Sequence, residues 1–428
     1  MTFIVDASLS AFIPIDADSD FPIQNLPFGI FKPKAMDAPR VGVALGEFVV
    51  DLTVLQEIGL LDIAGVDASV FTQPSLNRLL ALGVETYRNI RKRLVELLRS
   101  DTALAASDKE MIENSLYRQS DVILCVPLQI GDYTDFYSSE QHAFNVGSMF
   151  RGKGNELMPN WKHMPIALHG RASSIVTTEA PIYRPHGQVL DQQTGKPIVS
   201  ASKILDFELE MGFFIGKDSR RGRPIAIKDA EGYILGMVLV NDWSARDIQK
   251  WEYQPLGPFL AKSFATSISP WVVSLDALAP FKLAGVVQQP APCDYLQHIE
   301  KANNYDINLT VSIQTEKMQA PQVICHSNHR YLYWSIVQQL AHQTIAGCNV
   351  KLGDLMASGT ISGSKPDQFG SLLELTWMGE KPLSLNSGET RTFIEDGDQI
   401  LLRGYCDGKT YRIGFGELRN QVLGNPNF

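Results

Sequence analysis

A six-residue stretch from 206 to 211, with the sequence DFELEM, constrains the fold of this chain more than any other segment. Apolar and acidic residues alternate along it, and residues two apart in a β-strand share one face. The pattern therefore places Glu208 and Glu210 side by side, roughly 7 Å apart, opposite the three apolar side chains. Apolar residues on both sides of the stretch indicate a strand inside a core.

Two carboxylates at the edge of a core repel each other and lose hydration, so they need a compensating cation. A hard divalent metal bound through oxygen atoms is the simplest such cation. The alternative is a half-exposed edge strand whose glutamates face water, because edge strands show the same alternation.

Composition excludes several classes of protein. The chain has 428 residues, which indicates two or three domains, and a net charge of -9, which argues against nucleic acid as a partner. No basic run predicts a membrane surface, and no apolar run reaches transmembrane length. The five cysteines are scattered and lack a Cys-x-x-Cys pair, which indicates reduced thiols and, with no targeting signal at the start, a cytoplasmic protein.

The order of elements predicts two domains, over 1–121 and 122–428. The first reads as a small β domain with helices, in which a hairpin turns at Gly46. From about residue 122 the composition changes: a predicted buried strand is followed by segments in which glycine, proline, aromatic and polar residues alternate closely. Nothing in the first domain converges on chemistry, so the functional residues are expected in the second.

Four carboxylates lie next to apolar strands or aromatic segments: Asp135, Glu208, Glu210 and Asp242. Together they favour an oxygen-rich site for magnesium or calcium over a zinc site, which prefers nitrogen and sulfur. Asp242 follows the apolar strand 232–240, although it also suits an N-cap for a helix over 243–251. The chain has no P-loop, no strand-coupled dinucleotide motif and no Gly-x-Ser-x-Gly elbow.

Other polar residues surround these carboxylates in the predicted elements. His142 lies on a helix over 140–149, and Glu374 lies on a predicted strand over 371–377. Arg246, Gln249 and Tyr253 share one helix face, where Arg246 could instead pair with a neighbouring aspartate. A glycine-bracketed turn over 359–363 lets backbone amides approach a ligand closely.

Several segments, taken in this order, resemble the fumarylacetoacetase family. The resemblance spans nearly the whole chain and rests on Asp18–Pro27, Ile130–Tyr137, His142, Gly170–Ser174, Asp206–Glu210, Asn241–Gln249 and Ser358–Gly363. It implies a mainly β fold with α-helices: a small SH3-like N-terminal domain followed by a mixed β-sandwich roll that carries the catalytic site. It also implies a homodimer that hydrolyses a carbon–carbon bond of the 1,3-diketo acid 4-fumarylacetoacetate to fumarate and acetoacetate, the last step of tyrosine and phenylalanine breakdown.

The resemblance also implies roles for individual residues. The metal, Mg²⁺ or Ca²⁺ or both, falls on Asp135, Glu208, Glu210 and Asp242, with a second cation site on Asp242, Lys262 and Thr266. The general base falls on His142, held by Glu374. Donors for the oxyanion are Arg246, Gln249 and Lys262, and the substrate-binding residues are Tyr137, Arg151, Gln249, Tyr253 and Thr360.

One position departs from the family pattern. A tyrosine that usually precedes the His-Gly-Arg-Ala-Ser-Ser segment is Leu168 here, so one hydroxyl contact to substrate is absent or supplied elsewhere.

Sister activities on the same scaffold are the alternatives to this function: a decarboxylase, an isomerase or another acylpyruvate hydrolase, which lack the histidine–glutamate pair or the N-terminal domain. A non-catalytic metal-binding paralogue is a further alternative, but it would have lost His142 or a carboxylate.

Overall fold

The structure is a computed structural model that describes residues 2–36, 38–102 and 104–425. The strands are, in chain order, β1 (Phe28–Pro33), β2 (Arg40–Leu45), β3 (Phe48–Asp51), β4 (Leu116–Arg118), β5 (Val122–Cys125), β6 (Tyr133–Phe136), β7 (Ala167–His169), β8 (Ile175–Thr177), β9 (Ile182–Tyr183), β10 (His186–Leu190), β11 (Pro197–Ala201), β12 (Leu205–Asp206), β13 (Leu209–Ile215), β14 (Ile234–Asp242), β15 (Ser244–Ala245), β16 (Thr266–Ile268), β17 (Val273–Ser274), β18 (Lys282–Ala284), β19 (Ala302–Tyr305), β20 (Asn308–Gln314), β21 (Gln322–Asn328), β22 (Leu355–Ala357), β23 (Leu383–Ser384), β24 (Thr390–Arg391), β25 (Gln399–Asp407) and β26 (Arg412–Leu423).

The helices are α1 (Leu52–Glu57), α2 (Asn77–Leu80), α3 (Val84–Leu98), α4 (Ala106–Glu113), α5 (Glu140–Arg151), α6 (Ile227–Ala230), α7 (Arg246–Glu252), α8 (Leu260–Ser263), α9 (Leu275–Leu278), α10 (Ile336–Thr344) and α11 (Leu372–Leu375). Within the described segments, every helix is too short or too polar to span a lipid bilayer.

Three sheets organise these elements. A five-stranded N-terminal sheet has the order β4-β3-β2-β1-β5, and an eight-stranded sheet has the order β7-β6-β22-β13-β14-β16-β8, with β17 beside β14. A second five-stranded sheet has the order β21-β20-β25-β26-β9. The predicted class, mainly β with α-helices and a small N-terminal sheet before larger ones, is confirmed.

The eight-stranded sheet lies between two cores. Apolar side chains on one face, including Met211, Phe213 and Leu239, pack in one cluster with the second five-stranded sheet. Those on the other face, including Phe214 and Val238, pack with the N-terminal sheet and its helices. Because both faces are covered, polar side chains at the strand ends are buried and must find partners inside the protein.

Two expectations about the N-terminal region meet the structure here. The hairpin predicted at Gly46 is present, since β2 and β3 pair antiparallel across this residue. β5 pairs with β1, so the first sheet extends beyond residue 121. The domain division between 121 and 122 stays a prediction.

Candidate active site

Three carboxylates converge from separate strands of the eight-stranded sheet. Asp135 lies on β6, Glu210 on β13 and Asp242 at the end of β14, and one oxygen atom of each lies within 4.8 Å of the others. All three are buried. Strand β22 connects them, because Ala357 lies opposite Asp135 on one side and opposite Gly212 on the other. The alternative of a half-exposed strand with solvated glutamates is therefore wrong.

A glycine turn follows β22 and reaches this cluster. The backbone N–H of Gly359 donates a hydrogen bond to Glu210 Oε2 at 3.0 Å. Gly359 has a φ of +77°, and a Cβ there would lie 2.2 Å from the carbonyl oxygen of Phe136. Only glycine permits this backbone approach, as the glycine-bracketed turn in the sequence predicted.

Glu208 points to a different set of partners. The segment 206–211 is interrupted between β12 and β13, where Glu208 forms an isolated bridge with Ser371. Its carboxylate pairs with Lys262 Nζ at 2.5 Å and with Arg246 Nη2 at 2.8 Å. Burial alone would raise the pKa of Glu208, but these two cations and His142 hold it well below its ordinary value. The predicted compensating cation is thus, for Glu208, supplied by the protein.

Lys262 joins Glu208 to the carboxylate cluster. Its ammonium also donates to Asp242 Oδ2 at 2.6 Å, and Thr266 Oγ1 donates to Asp242 Oδ1 at 3.2 Å. The three residues of the predicted second cation site therefore lie together. A protonated ammonium has no lone pair, so Lys262 could ligate a metal only through its main-chain oxygen. That second site stays a prediction.

His142 and Glu374 form a buried pair beside Glu208. His142 lies on α5, whose N-cap Ser139 accepts a hydrogen bond from the His142 backbone N–H. Its Nδ1 lies 2.7 Å from Glu374 Oε2, and its Nε2 lies 4.0 Å from Glu208 Oε1. Burial disfavours an ionised Glu374, but His142 and several hydrogen bonds outweigh it and lower the pKa of that carboxyl.

One prediction and two alternatives for these elements were wrong. The segment 371–377 is not a strand: Glu374 lies on the short helix α11, capped by Ser371, whose Oγ accepts from the Glu374 N–H. Asp242 does not cap a helix, because β15 follows it and α7 begins only at Arg246. Arg246 contacts neither Asp242 nor Asp247 but donates through Nε and Nη2 to Asp206 Oδ2 at 2.9 and 2.8 Å.

A cavity of about 600 Å³ opens onto these groups. It is lined by most of the predicted site residues: Asp135, Tyr137, His142, Arg151, Glu208, Glu210, Arg246, Gln249, Tyr253, Lys262 and Thr360. Asp242, Thr266 and Glu374 lie behind this lining. Leu168 also faces the cavity, on β7 opposite Asp135, and it offers no hydroxyl there.

The carboxylate cluster has the character of a site for a hard cation. Asp135 Oδ1 and Glu210 Oε1 are buried and have no hydrogen-bond partner among the described residues. Burial raises the pKa of both groups well above its ordinary value, and the charges of the neighbouring carboxylates, Asp242 among them, raise it further. Three buried carboxylates, two of which have an oxygen without a hydrogen-bond partner, suit Mg²⁺ or Ca²⁺, which bind through oxygen.

The raised pKa values predict how metal removal changes stability with pH. Without metal, folded Asp135 and Glu210 hold protons that the unfolded chain releases near the ordinary pKa values of 3.8 and 4.5. The free energy of unfolding should therefore fall as pH rises above these values. Magnesium, which binds the ionised carboxylates, should oppose this fall. Urea unfolding across the acid to neutral range, in EDTA and in magnesium, measures the difference; parallel curves would contradict it.

The comparison with family models covers both parts of the chain. Residues 24–127 match the model described as fumarylacetoacetase N-terminal, and residues 132–423 match the model described as fumarylacetoacetate hydrolase C-terminal. The chain belongs to the fumarylacetoacetate hydrolase family. It is accordingly a hydrolytic enzyme, as the sequence predicted.

Close relatives of this family member occur in distant organisms. The chain is 49% identical over 413 residues to fumarylacetoacetase of Homo sapiens, with 96% of this chain and 98% of the relative covered. It is 50% identical over 420 residues to that of Dictyostelium discoideum, with 97% and 98% covered. A fumarylacetoacetate hydrolase from Exiguobacterium antarcticum shares the fold, with a TM-score of 0.54, 17% identity and 94% and 100% coverage.

Several residues that shape the family site were not assigned a role from the sequence. Glu374 also accepts hydrogen bonds from Asn145, Ser362 and Ser371. Glu252 accepts the N–H groups of residues 259–261 and so fixes the start of α8, which carries Lys262. That Glu252 and Arg246 lie close together in the chain was visible in the sequence. The N–H groups that Glu252 binds lie beyond a loop, however, and a loop has no periodic pattern from which such contacts can be predicted.

Proposed function

We propose that this enzyme hydrolyses the carbon–carbon bond of 4-fumarylacetoacetate to give fumarate and acetoacetate, with Mg²⁺ or Ca²⁺ bound by Asp135, Glu210 and Asp242. One observation carries the proposal. His142, which Glu374 holds from behind, lines the same cavity as Asp135 and Glu210 of the carboxylate cluster. Glu208 remains a fourth proposed ligand, since its Oε1 lies between His142 and Arg246, although Lys262 and Arg246 hold it in this structure.

His142 is the proposed general base. Its Nδ1 is engaged by Glu374, so Nε2 is the nitrogen left to accept a proton from water. Glu374 is held in place by hydrogen bonds from Asn145, Ser362 and Ser371, so it fixes the orientation of the imidazole and stabilises its protonated form. A buried histidine–carboxylate pair of this kind makes water a nucleophile near neutral pH.

Cleavage of a carbon–carbon bond expels a carbanion, which is tolerable only as an enolate. A hard cation bound at the carboxylates would polarise the diketone and stabilise the charge of the departing enolate. Arg246, Gln249 and Lys262 are the proposed donors to the oxyanion that forms when water attacks. Gln249 Oε1 accepts from Arg246 Nη1 at 3.2 Å, which leaves its amide NH₂ to donate. Two of the three N–H donors of Lys262 bind carboxylates, which leaves the third to donate to the oxyanion.

Polar residues further along the cavity are proposed to bind the substrate's two carboxylates. Tyr137 packs edge-on against His142, with ring centroids 5.3 Å apart. Arg151 is held at the rim by the carbonyls of Asn155 and Glu156. Thr360 Oγ1 is buried in the cavity without a hydrogen-bond partner among the described residues, as expected of a group that awaits a ligand.

Thr360 gives a prediction in which binding and stability change in opposite directions. Thr360→Val should raise KM about 10-fold with little change in kcat, because it removes one uniform hydrogen bond worth about 1.5 kcal/mol. Its thermal stability should be equal or higher, because a buried unpaired hydroxyl becomes a methyl group. Steady-state kinetics and calorimetric melting measure both. Thr266→Val, which loses a hydrogen bond to Asp242, is the control that should lower stability; an unchanged KM in Thr360→Val would contradict the role.

Sister reactions on the same scaffold are separated by a substrate panel. Fumarylacetoacetate, a simple acylpyruvate and a β-keto acid would each be incubated with enzyme and magnesium, and the products identified by NMR. Fumarate and acetoacetate in equal amounts from the first substrate, with much slower conversion of the others, is the expected result. Carbon dioxide release from the β-keto acid as the fastest reaction would replace this proposal with a decarboxylase, and no turnover of any substrate would favour a non-catalytic paralogue.

The proposal includes a homodimer in the cytoplasm. Leu256, which lines the cavity, and the nearby Phe259 are both exposed, and exposed large apolar side chains of this kind are typical of protein interfaces. All five cysteines lie in described segments and are free thiols, which fits a reducing compartment. Sedimentation velocity would test the assembly, and a monomer at micromolar concentration would contradict it.

A further inference from the structure

Asp206 contacts two separate parts of the candidate active site. It is fully buried and lies on β12, which pairs with β15, the strand immediately before α7. Its Oδ2 accepts two hydrogen bonds from the guanidinium of Arg246. Its Oδ1 accepts the backbone N–H of Leu372 at 2.7 Å, and Oδ2 also accepts that of Leu373 at 3.1 Å.

The hydrogen bonds from the backbone N–H groups of α11 to Asp206 fix the segment that carries Glu374. Leu372 and Leu373 are the two residues before Glu374 on α11, a helix of one turn. So short a helix has little stability of its own, so its position depends on contacts from outside. Asp206 supplies two such contacts to the backbone, and Ser371 supplies a third through the Glu374 N–H.

The hydrogen bonds from the guanidinium to Asp206 set the position of Arg246. One nitrogen, Nη2, is shared at 2.8 Å between Asp206 Oδ2 and Glu208 Oε1. Asp206 therefore fixes the guanidinium that faces the cavity and, through α11, the carboxylate that orients His142. A single side chain thus sets the distance between the proposed base and the proposed oxyanion donor.

We propose that Asp206 is a positioning residue for the hydrolytic reaction, which acts through Glu374 and Arg246 and does not touch the substrate. The inference rests on the proposed function. Asp206→Asn keeps the volume and one acceptor, but its NH₂ group must face either the Leu372 N–H or the guanidinium and the Leu373 N–H, which are all donors. The expected loss in kcat is about 10–100-fold, as for other residues that orient a ligand or base, with KM within about threefold.

A double-mutant cycle separates positioning from a general structural role. The variants are Asp206→Asn, Glu374→Gln and the double variant, with kcat measured on fumarylacetoacetate at saturating magnesium. If Asp206 acts partly through Glu374, its substitution should cost clearly less in the Glu374→Gln background than in the wild-type background, and only the part that acts through Arg246 should remain. The same 10–100-fold loss in both backgrounds, or no loss in the wild-type background, would overturn the proposal.

Asp247→Asn is the matched control. Asp247 is the neighbour of Arg246 in sequence and accepts from Ser202 Oγ and the Lys203 N–H, away from α11, so its kcat should be unchanged. If Asp206→Asn does not fold, as judged by circular dichroism, Asp206→Ser takes its place in the cycle. Failure of both to fold would make Asp206 a general stability residue and overturn the proposal. Absence of turnover by the wild-type enzyme would instead overturn the proposed function.

Discussion

His142→Ala is expected to lower kcat by about 10²–10⁴-fold, the usual contribution of a general base, while magnesium affinity stays unchanged. The reason is geometric. His142 Nδ1 is engaged by Glu374, and the ring lies 4.0 Å from Glu208 but is not part of the cluster of Asp135, Glu210 and Asp242. Steady-state kinetics gives the first quantity, and isothermal titration calorimetry with magnesium gives the second.

Two further variants make this result specific. Glu374→Gln should reduce kcat less than His142→Ala, because the imidazole remains but loses its charged partner. His163→Ala, at an exposed position of the loop after α5, should leave both quantities unchanged. Retained activity in His142→Ala, or an equal loss in His163→Ala, would reject His142 as the base.

Glu210→Gln is expected to lower magnesium affinity by about 10²-fold or more and to abolish turnover at ordinary metal concentrations. Removing one carboxylate charge a few ångströms from a divalent ion forfeits several kcal/mol even at an effective dielectric constant near 20. Without metal the same variant should be more stable than the wild type at neutral pH, because Glu210 must take up a proton to be buried beside Asp135 and Asp242, whereas glutamine is already neutral. Magnesium-dependent melting temperatures measure both effects.

A parallel variant decides the role of Glu208. Glu208→Gln removes the negative charge that Lys262 and Arg246 share, so it should lower stability with and without metal. If Glu208 is also a ligand, its magnesium affinity falls as far as that of Glu210→Gln. Unchanged magnesium affinity in Glu210→Gln would contradict the carboxylate site.

Local patterns in the sequence predicted the arrangement of the central strand. The alternation over 206–211 correctly placed Phe207, Leu209 and Met211 in one core, with the two glutamates on the opposite side. The glycine turn at Gly359 and the position of Asp242 at a strand end were also predicted. Each depends on the chemistry of a few adjacent residues, which period and composition report well.

The partners of the charged groups could not be predicted in the same way. The two glutamates share one side of the stretch, yet Glu208 pairs with Lys262, 54 residues later, while Glu210 joins Asp135 and Asp242. Arg246 binds Asp206 and not the aspartates that lie near it in the sequence. Glu374 lies among leucines that suggest a strand, but Ser371 and Asp206 bind the backbone N–H groups of the segment and favour a helical turn. These choices depend on contacts between distant segments.

The most direct test of the central claim follows the ultraviolet absorbance of fumarylacetoacetate in the presence of purified enzyme. Rapid loss of absorbance with magnesium, arrest by excess EDTA and full recovery when magnesium exceeds the chelator are the results that a carboxylate-held cation and a His142 base predict. No loss of absorbance in magnesium, or loss at the same rate in EDTA, would contradict the account.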